Sequence, residues 1–261
     1  MTEVERRQAL ETIAAEIRTC TDCRLHQGRT LAVPGEGDPE TEVVFVGEGP
    51  GFNEDRLGRP FVGRAGDLLV KLLAAIGWRR EEVFITNVVK CRPPDNRDPL
   101  PDEIAACSKY LKRQLEVLDP AVVVTLGRYS MARFMPGARI SSAHGTVRPI
   151  DPETGARSAL AFAMYHPAAA LRTPAIERDS YQDIGGVPAA LLDARRRRET
   201  LVTETVGQLE GTGGVGPILQ AVAVLEPAVE AASSIVAEPG WEEITSGDPG
   251  WDEATPQLTL F

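Results

Sequence analysis

Glu42-Val43-Val44-Phe45-Val46-Gly47-Glu48-Gly49-Pro50-Gly51 passes within ten residues from an apolar run to a tight turn of glycine and proline. An apolar run without alternation fits a strand covered on both faces, the setting of a parallel sheet. Small residues directly behind such a strand let the backbone approach a ligand closely. In open parallel sheets ligands gather at the carboxyl ends of the strands. The same ten residues therefore point both to a fold class and to the place in it where a site belongs.

A second segment of the same kind lies far along the chain. Ala159 to Tyr165 reads as another short buried strand, and it leads into Tyr165-His166-Pro167-Ala168-Ala169. A histidine behind a strand end can titrate or donate a hydrogen bond near neutral pH. A histidine before proline is equally at home as a plain loop residue. Between these two strands lie two more candidates, Val83 to Val89 and Ala121 to Leu126. Helical spacing covers Gly66 to Ile76 and Pro101 to Leu118, and an N-terminal segment with apolar residues at 10, 13, 14 and 17. Alternating strand and helix predicts an α/β fold, a three-layer α/β/α domain around a central four-stranded parallel sheet. A last helix is predicted from Val187, closed by Arg195-Arg196-Arg197-Arg198, a run that suits either a helix carboxyl end or a phosphate contact.

The chain of 261 residues is 43% hydrophobic and 25% charged, enough for one sizeable core and an appendage. The formal net charge of −10 is unevenly spread: ten of the 38 acidic residues lie beyond position 200, whereas all 28 Lys and Arg residues precede it. The first 200 residues are thus balanced and free to carry a local basic face. Residues 1–200 are expected to form the domain, and residues 201–261, rich in Gly, Pro, Ala, Val and Glu, a flexible acidic tail. No apolar run approaches the roughly 20 residues of a membrane span, and no signal-peptide pattern opens the chain, so a cytoplasmic location is expected.

All four cysteines fall early: Cys20 and Cys23 in a CxxC pair, then Cys91, then Cys107 after fifteen intervening residues. In a cytosolic chain that pattern favours a metal or a cluster over disulfides. Zinc and an iron–sulfur cluster both want several converging thiolates, and spacing alone does not choose between them.

Taken together, Gly47-Glu48-Gly49-Pro50-Gly51-Phe52-Asn53-Glu54-Asp55, Gly58-Arg59-Pro60-Phe61-Val62-Gly63-Arg64, Thr86-Asn87-Val88-Val89-Lys90-Cys91-Arg92-Pro93-Pro94 and Tyr165-His166-Pro167 closely resemble the iron–sulfur, or family-four, uracil-DNA glycosylases. The resemblance runs over roughly residues 8–198. It implies a structural [4Fe-4S] cluster on Cys20, Cys23, Cys91 and Cys107, with no nucleotide cofactor. It further implies that Gly49 and its turn wrap the uracil, that Phe61 stacks on the base, that Asn87 reads its Watson–Crick edge and that His166 binds O2. The implied reaction is hydrolysis of the N-glycosidic bond of a uracil flipped out of DNA, by a monofunctional, monomeric enzyme that starts base-excision repair and works at the nucleoid. Other branches carry Asp where this chain has Gly49, so the carboxylate beside the cationic sugar is sought in Glu48 first and Glu54 second. Arg59, Arg64, Arg128 and Arg172 are candidates for phosphate, and Leu171 for a wedge between bases.

The chain ends in Gln257-Leu258-Thr259-Leu260-Phe261, which resembles the bacterial sliding-clamp-binding pentapeptide, with Gln257 as polar contact and Leu258, Leu260 and Phe261 as apolar anchors. Two other readings compete. One is a glycosylase with a broader range of deaminated bases, and the other a non-catalytic DNA- or clamp-binding module. A superfamily branch that bonds covalently to DNA through a histidine near the second strand is disfavoured, because Arg92 to Ala106 contains no His.

Overall fold

A computed structural model describes residues 1–210. The acidic tail beyond residue 210 and the pentapeptide ending at Phe261 lie outside the described residues. Residues 1–206 gather into one compact unit.

Six strands form one sheet: β1 (Glu36–Gly37), β2 (Val43–Gly47), β3 (Phe84–Asn87), β4 (Val122–Leu126), β5 (Val147–Pro149) and β6 (Leu160–Met164), in the spatial order β1-β3-β2-β4-β6-β5. The four expected strands are its parallel centre. Two short antiparallel edges, β1 on β3 and β5 on β6, widen it beyond the count read from the sequence. Those edges carry Glu, Gly, Arg and Pro, which no hydrophobic period marks.

Successive residues of the central strands face opposite ways. Val44, Val46, Phe84, Val123, Ala161 and Ala163 pack towards α1 (Glu3–Thr19), α4 (Pro101–Leu118) and α5 (Arg128–Phe134). Val43, Phe45, Ile85, Val122, Val124, Leu160, Phe162 and Met164 pack towards α3 (Arg64–Ala75), α8 (Pro174–Ile184) and α9 (Val187–Glu210). Every central strand is buried along its whole length, as the continuous apolar runs required. Three further helices are short: α2 (Phe52–Leu57), α6 (Ile140–Ala143) and α7 (Pro167–Ala170). Among the described residues no helix is long and apolar enough to cross a membrane.

The last helix does not stop at its arginine run. It continues to Glu210, and its arginines are engaged along its side: Arg195 on Glu42, Arg197 on Asp193, and Arg198 on the carbonyls of Asp119 and Pro120. These contacts bind α9 back to the loop entering β4 and to the start of β2.

The first turn of α3 is pressed against the segment before it. A Cβ on Gly66 would lie 1.9 Å from the carbonyl oxygen of Phe61, so only glycine permits this approach. Gly66→Ala is accordingly expected to lower stability by about 1–3 kcal/mol and to reduce activity at the same time. Urea unfolding beside a turnover assay checks this, and unchanged values in both would remove the steric account.

Candidate active site

Four strand ends bring the site together. β2 runs into the Gly47–Gly51 turn, β3 terminates at Asn87, β4 is followed by Gly127 and Arg128, and β6 leads through Tyr165 to His166 at the start of α7. Gly47 is the point of closest approach. A Cβ there would meet Asn87 Oδ1 at 2.4 Å and the Phe61 ring at 2.7 Å, so a side chain at this position would expel both. Phe61 in turn stacks on the imidazole of His166, with ring centroids 5.6 Å apart and planes inclined by 30°. The structure thus brings together the three residues expected to hold a base. Gly49 adjoins them, closed in by Val89, whose Cγ2 lies 2.7 Å from where a Cβ would stand.

Asn87 is buried, and its Oδ1 accepts no hydrogen bond among the described residues. Buried polar atoms are nearly always paired, because an unpaired one costs about 1–3 kcal/mol. An acceptor held in that state is ready for a donor brought by a ligand. The backbone beneath it is firmly fixed: the Asn87 carbonyl accepts from Lys90 Nζ at 2.9 Å. That ammonium is itself fully buried and also donates to Thr86 Oγ1 at 2.6 Å and Gln114 Oε1 at 2.7 Å. Burial pulls the Lys90 pKa down to about 8. Lys90 was not singled out from the sequence. Its one signal there was a lone cation between an apolar run and Cys91.

His166 is a neutral imidazole with a defined tautomer. Its Nδ1 accepts from the backbone N–H of Ala168 at 3.1 Å, so Nε2 carries the proton and is the donor. Burial lowers its pKa to about 4, with Glu54 acting against that shift and Arg172 adding to it.

The two candidate carboxylates have different fates. Glu54 spends both oxygens on backbone: Oε1 accepts from Val62 at 2.9 Å and Gly63 at 3.1 Å, and Oε2 accepts from Gly51 at 3.1 Å. It ties the strand-end turn to the Phe61 segment. Glu48 makes no such bonds among the described residues. Burial pushes its pKa up to about 7, helped by the charge of Asp98 and opposed by Arg128.

The expected DNA contacts divide in the same way. Arg64, Leu171 and Arg172 are exposed at the starts of α3 and just after α7, and make no ion pair among the described residues. Arg59 instead grips Glu36 through Nε at 2.7 Å and Nη2 at 2.9 Å. Arg128 is paired with Asp98 and lies 4.8 Å from the centre of the Tyr129 ring.

The four cysteines line one pocket, together with Ile17, His26, Arg29, Lys90 and Tyr110. Arg29 Nη1 lies 3.1 Å from Cys91 Sγ, and the Lys90 N–H points at Cys107 Sγ at 3.3 Å. Burial raises the pKa of Cys23 and Cys91, and that of Cys107 to about 11. Among the described residues no three Cys, His, Asp or Glu side chains are grouped so as to hold a single ion.

Residues 34–184 match the family model described as the uracil DNA glycosylase superfamily. The chain is similar to the type-4 uracil-DNA glycosylase of Sulfurisphaera tokodaii, 43% identical over 72% of this chain and 87% of that protein. It is also similar to the type-4 enzyme of Archaeoglobus fulgidus, 47% identical over 67% of this chain and 89% of that one. A type-5 uracil-DNA glycosylase of Thermus thermophilus is 35% identical over 51% of the chain and 68% of its own length.

The state of Glu48 yields a pH prediction. A carboxyl with its pKa raised to about 7 becomes charged as pH rises through that value. If its negative charge serves the reaction, kcat/KM rises with pH between about 6 and 8, and Glu48→Gln loses that rise. His166, with its pKa near 4, contributes no change in the same window. An identical rise in the Glu48→Gln variant would assign the dependence elsewhere.

Proposed function

The chain belongs to the type-4 branch of the uracil DNA glycosylase superfamily, and from that premise we propose that it excises uracil from DNA, with Asn87 reading the base and His166 receiving its developing charge. One observation carries this reading: the buried, unpaired Oδ1 of Asn87 beside the Phe61 ring and the His166 imidazole. Uracil offers an N3–H donor to that oxygen and an O4 acceptor to the Asn87 amide N–H. Cytosine offers the reverse pattern and leaves two like groups facing each other. A site built to hydrogen-bond one partner rejects the other strongly, because its buried polar groups then stay unpaired.

The reaction is a hydrolysis. The bond from C1′ to uracil N1 breaks, and its electron pair leaves on the base as an anion. Water adds its oxygen to C1′ and gives up a proton, which ends on the departed uracil anion, leaving an abasic site. Negative charge grows on uracil O2, where the Nε2–H of a neutral His166 is a suitable donor. A neutral donor serves best here, since it needs no change of protonation state between about pH 5 and 8. Positive charge grows on the sugar, and the carboxylate of Glu48 is the group left free to face it or to orient the water. Glu54 serves by holding the turn and the stacking segment together. Flipping costs a few kcal/mol, less at a mismatch, which adds selectivity before chemistry begins. Arg64, Arg172 and Leu171 are the exposed groups that suit phosphate and the vacated stack.

The cavity among the cysteines suits an iron–sulfur cluster. A single zinc needs all four sulfurs at about 2.3 Å from one point, whereas a polynuclear cluster takes one thiolate per iron around a larger volume. Cys20, Cys23, Cys91 and Cys107 would hold it, with N–H donors from Arg29 and Lys90 on two of the sulfurs. Its contribution is to join α1, the loop after β3 and α4. Purified protein is expected to contain iron and acid-labile sulfide and to lose both, along with thermal stability, in Cys107→Ala. Stoichiometric zinc in their place would overturn this assignment. At the other end of the chain, Gln257, Leu258, Leu260 and Phe261 would tether the enzyme to a sliding clamp, raising its local concentration at DNA without altering the site.

The decisive experiment is cleavage at a single uracil in an oligonucleotide, with alkali revealing abasic sites. Wild type should yield product, and His166→Ala should lose roughly 10²–10³ in kcat. Asn87→Asp should lose uracil and acquire some cleavage at cytosine. No wild-type product on single- or double-stranded DNA, with the cluster intact, would leave a binding module instead.

A further inference from the structure

Phe61 has φ of 50°, in the left-handed region that a bulky residue rarely occupies. Such a conformation persists only where the surroundings over-determine it. Glu54 fixes the amides that follow, those of Val62 and Gly63. The carbonyls are fixed from elsewhere. Arg80, on a short 3-10 turn (Arg80–Glu82) between α3 and β3, donates from Nη1 to the Phe61 carbonyl at 2.9 Å and from Nη2 to the Pro60 carbonyl. Its remaining edge faces Glu36, with Nε and Nη2 at 3.2 and 2.9 Å from Oε1.

Both partners are sheltered, with side-chain exposures of 14% for Arg80 and 29% for Glu36. Ion pairs on open surface contribute little, but a guanidinium shared between a carboxylate and two carbonyls in a sheltered place has one geometry. Burial would raise the Glu36 pKa, yet the bonds from Arg59 and Arg80 outweigh it and hold the carboxyl below its usual value. Glu36 also has a fixed position along the sheet. It sits on β1 opposite Ile85 of β3, two residues before Asn87. The chain of contacts therefore runs from the strand that ends in Asn87, through Glu36 and Arg80, to the backbone of Phe61. Arg80 lies outside the segments that resemble known motifs.

We propose that Arg80, oriented by Glu36, is a positioning residue for uracil recognition, setting the Phe61 ring relative to Asn87 and His166. This rests on the reading of Phe61 as the stacking ring. Displacing a recognition group by about 1 Å can cost on the order of 10²-fold in rate, so the effect is measurable without any contact to substrate.

The test is a double-mutant cycle of Arg80→Met and Phe61→Ala, read as kcat/KM on uracil DNA, inhibition by free uracil, and affinity for abasic-site DNA. Arg80→Met is expected to lose roughly 10- to 100-fold in kcat/KM and to weaken inhibition by uracil in parallel, while abasic-site affinity stays within about twofold. In the Phe61→Ala background the same change should add less than about twofold, because the ring it positions is gone. An equal loss in both backgrounds would overturn the proposal, as would a loss of abasic-site affinity matching that of turnover. No effect of Phe61→Ala alone would instead remove the stacking reading beneath it, which is a distinct result. Should Arg80→Met fail to fold, Arg80→Lys, which keeps charge but lacks the fork, supplies the same cycle with a smaller loss.

Discussion

Asn87 keeps its side-chain Oδ1 buried without a donor among the described residues, and much of the molecule can be understood as what holds it there. An unsatisfied acceptor would escape to water or rotate to a neighbour if the backbone allowed it. β3 does not, because it is paired on both sides within the sheet, and Lys90 fixes the carbonyl of Asn87 itself. Gly47 has no side chain to fill the space, and the Phe61 ring closes it. The cost of the orphaned oxygen is offset only when a donor is brought to it.

Charge is used in two distinct ways around this centre. Glu54, Glu36 and Arg80 are consumed by backbone and by one another, and act as fixed braces. Glu48, a few residues away from Glu54, has no such partners among the described residues and is shifted by burial towards neutrality. Two carboxylates in one short segment therefore do different work, and their surroundings alone separate them. A similar division holds for the arginines: Arg59 and Arg128 are committed to acidic partners, while Arg64 and Arg172 are exposed and make no ion pair among the described residues.

The cysteine pocket and the end of β3 are neighbours through Lys90. Its backbone N–H faces Cys107, and its ammonium reaches Thr86, Asn87 and Gln114 at the end of β3. The loop after β3 is therefore tied both to the cysteine pocket and to the strand end at Asn87. The loop is fixed on its far side by Arg97, which pairs with the fully buried Glu103 at the start of α4.

The amino-acid sequence by itself determined the four parallel strands, because residues such as Val43 to Val46 are apolar without interruption and have one environment open to them. It also placed the Gly47 turn, Asn87 and His166 at strand ends, and grouped the cysteines into one set. It did not reveal the edge strands at Glu36 and Val147, which are too short and polar to show a period, nor the run of α9 past Arg198. Arg80 sits in Arg79-Arg80-Glu81-Glu82, where nothing local distinguishes it from its neighbours. Only the tertiary structure decided that Arg80 grips the Phe61 backbone, that Glu54 is a brace and Glu48 is free, and that Lys90 is buried. The physical reason is that burial patterns follow from each residue's own polarity, whereas a hydrogen-bond partner is set by which distant segments the closed fold brings within about 3 Å.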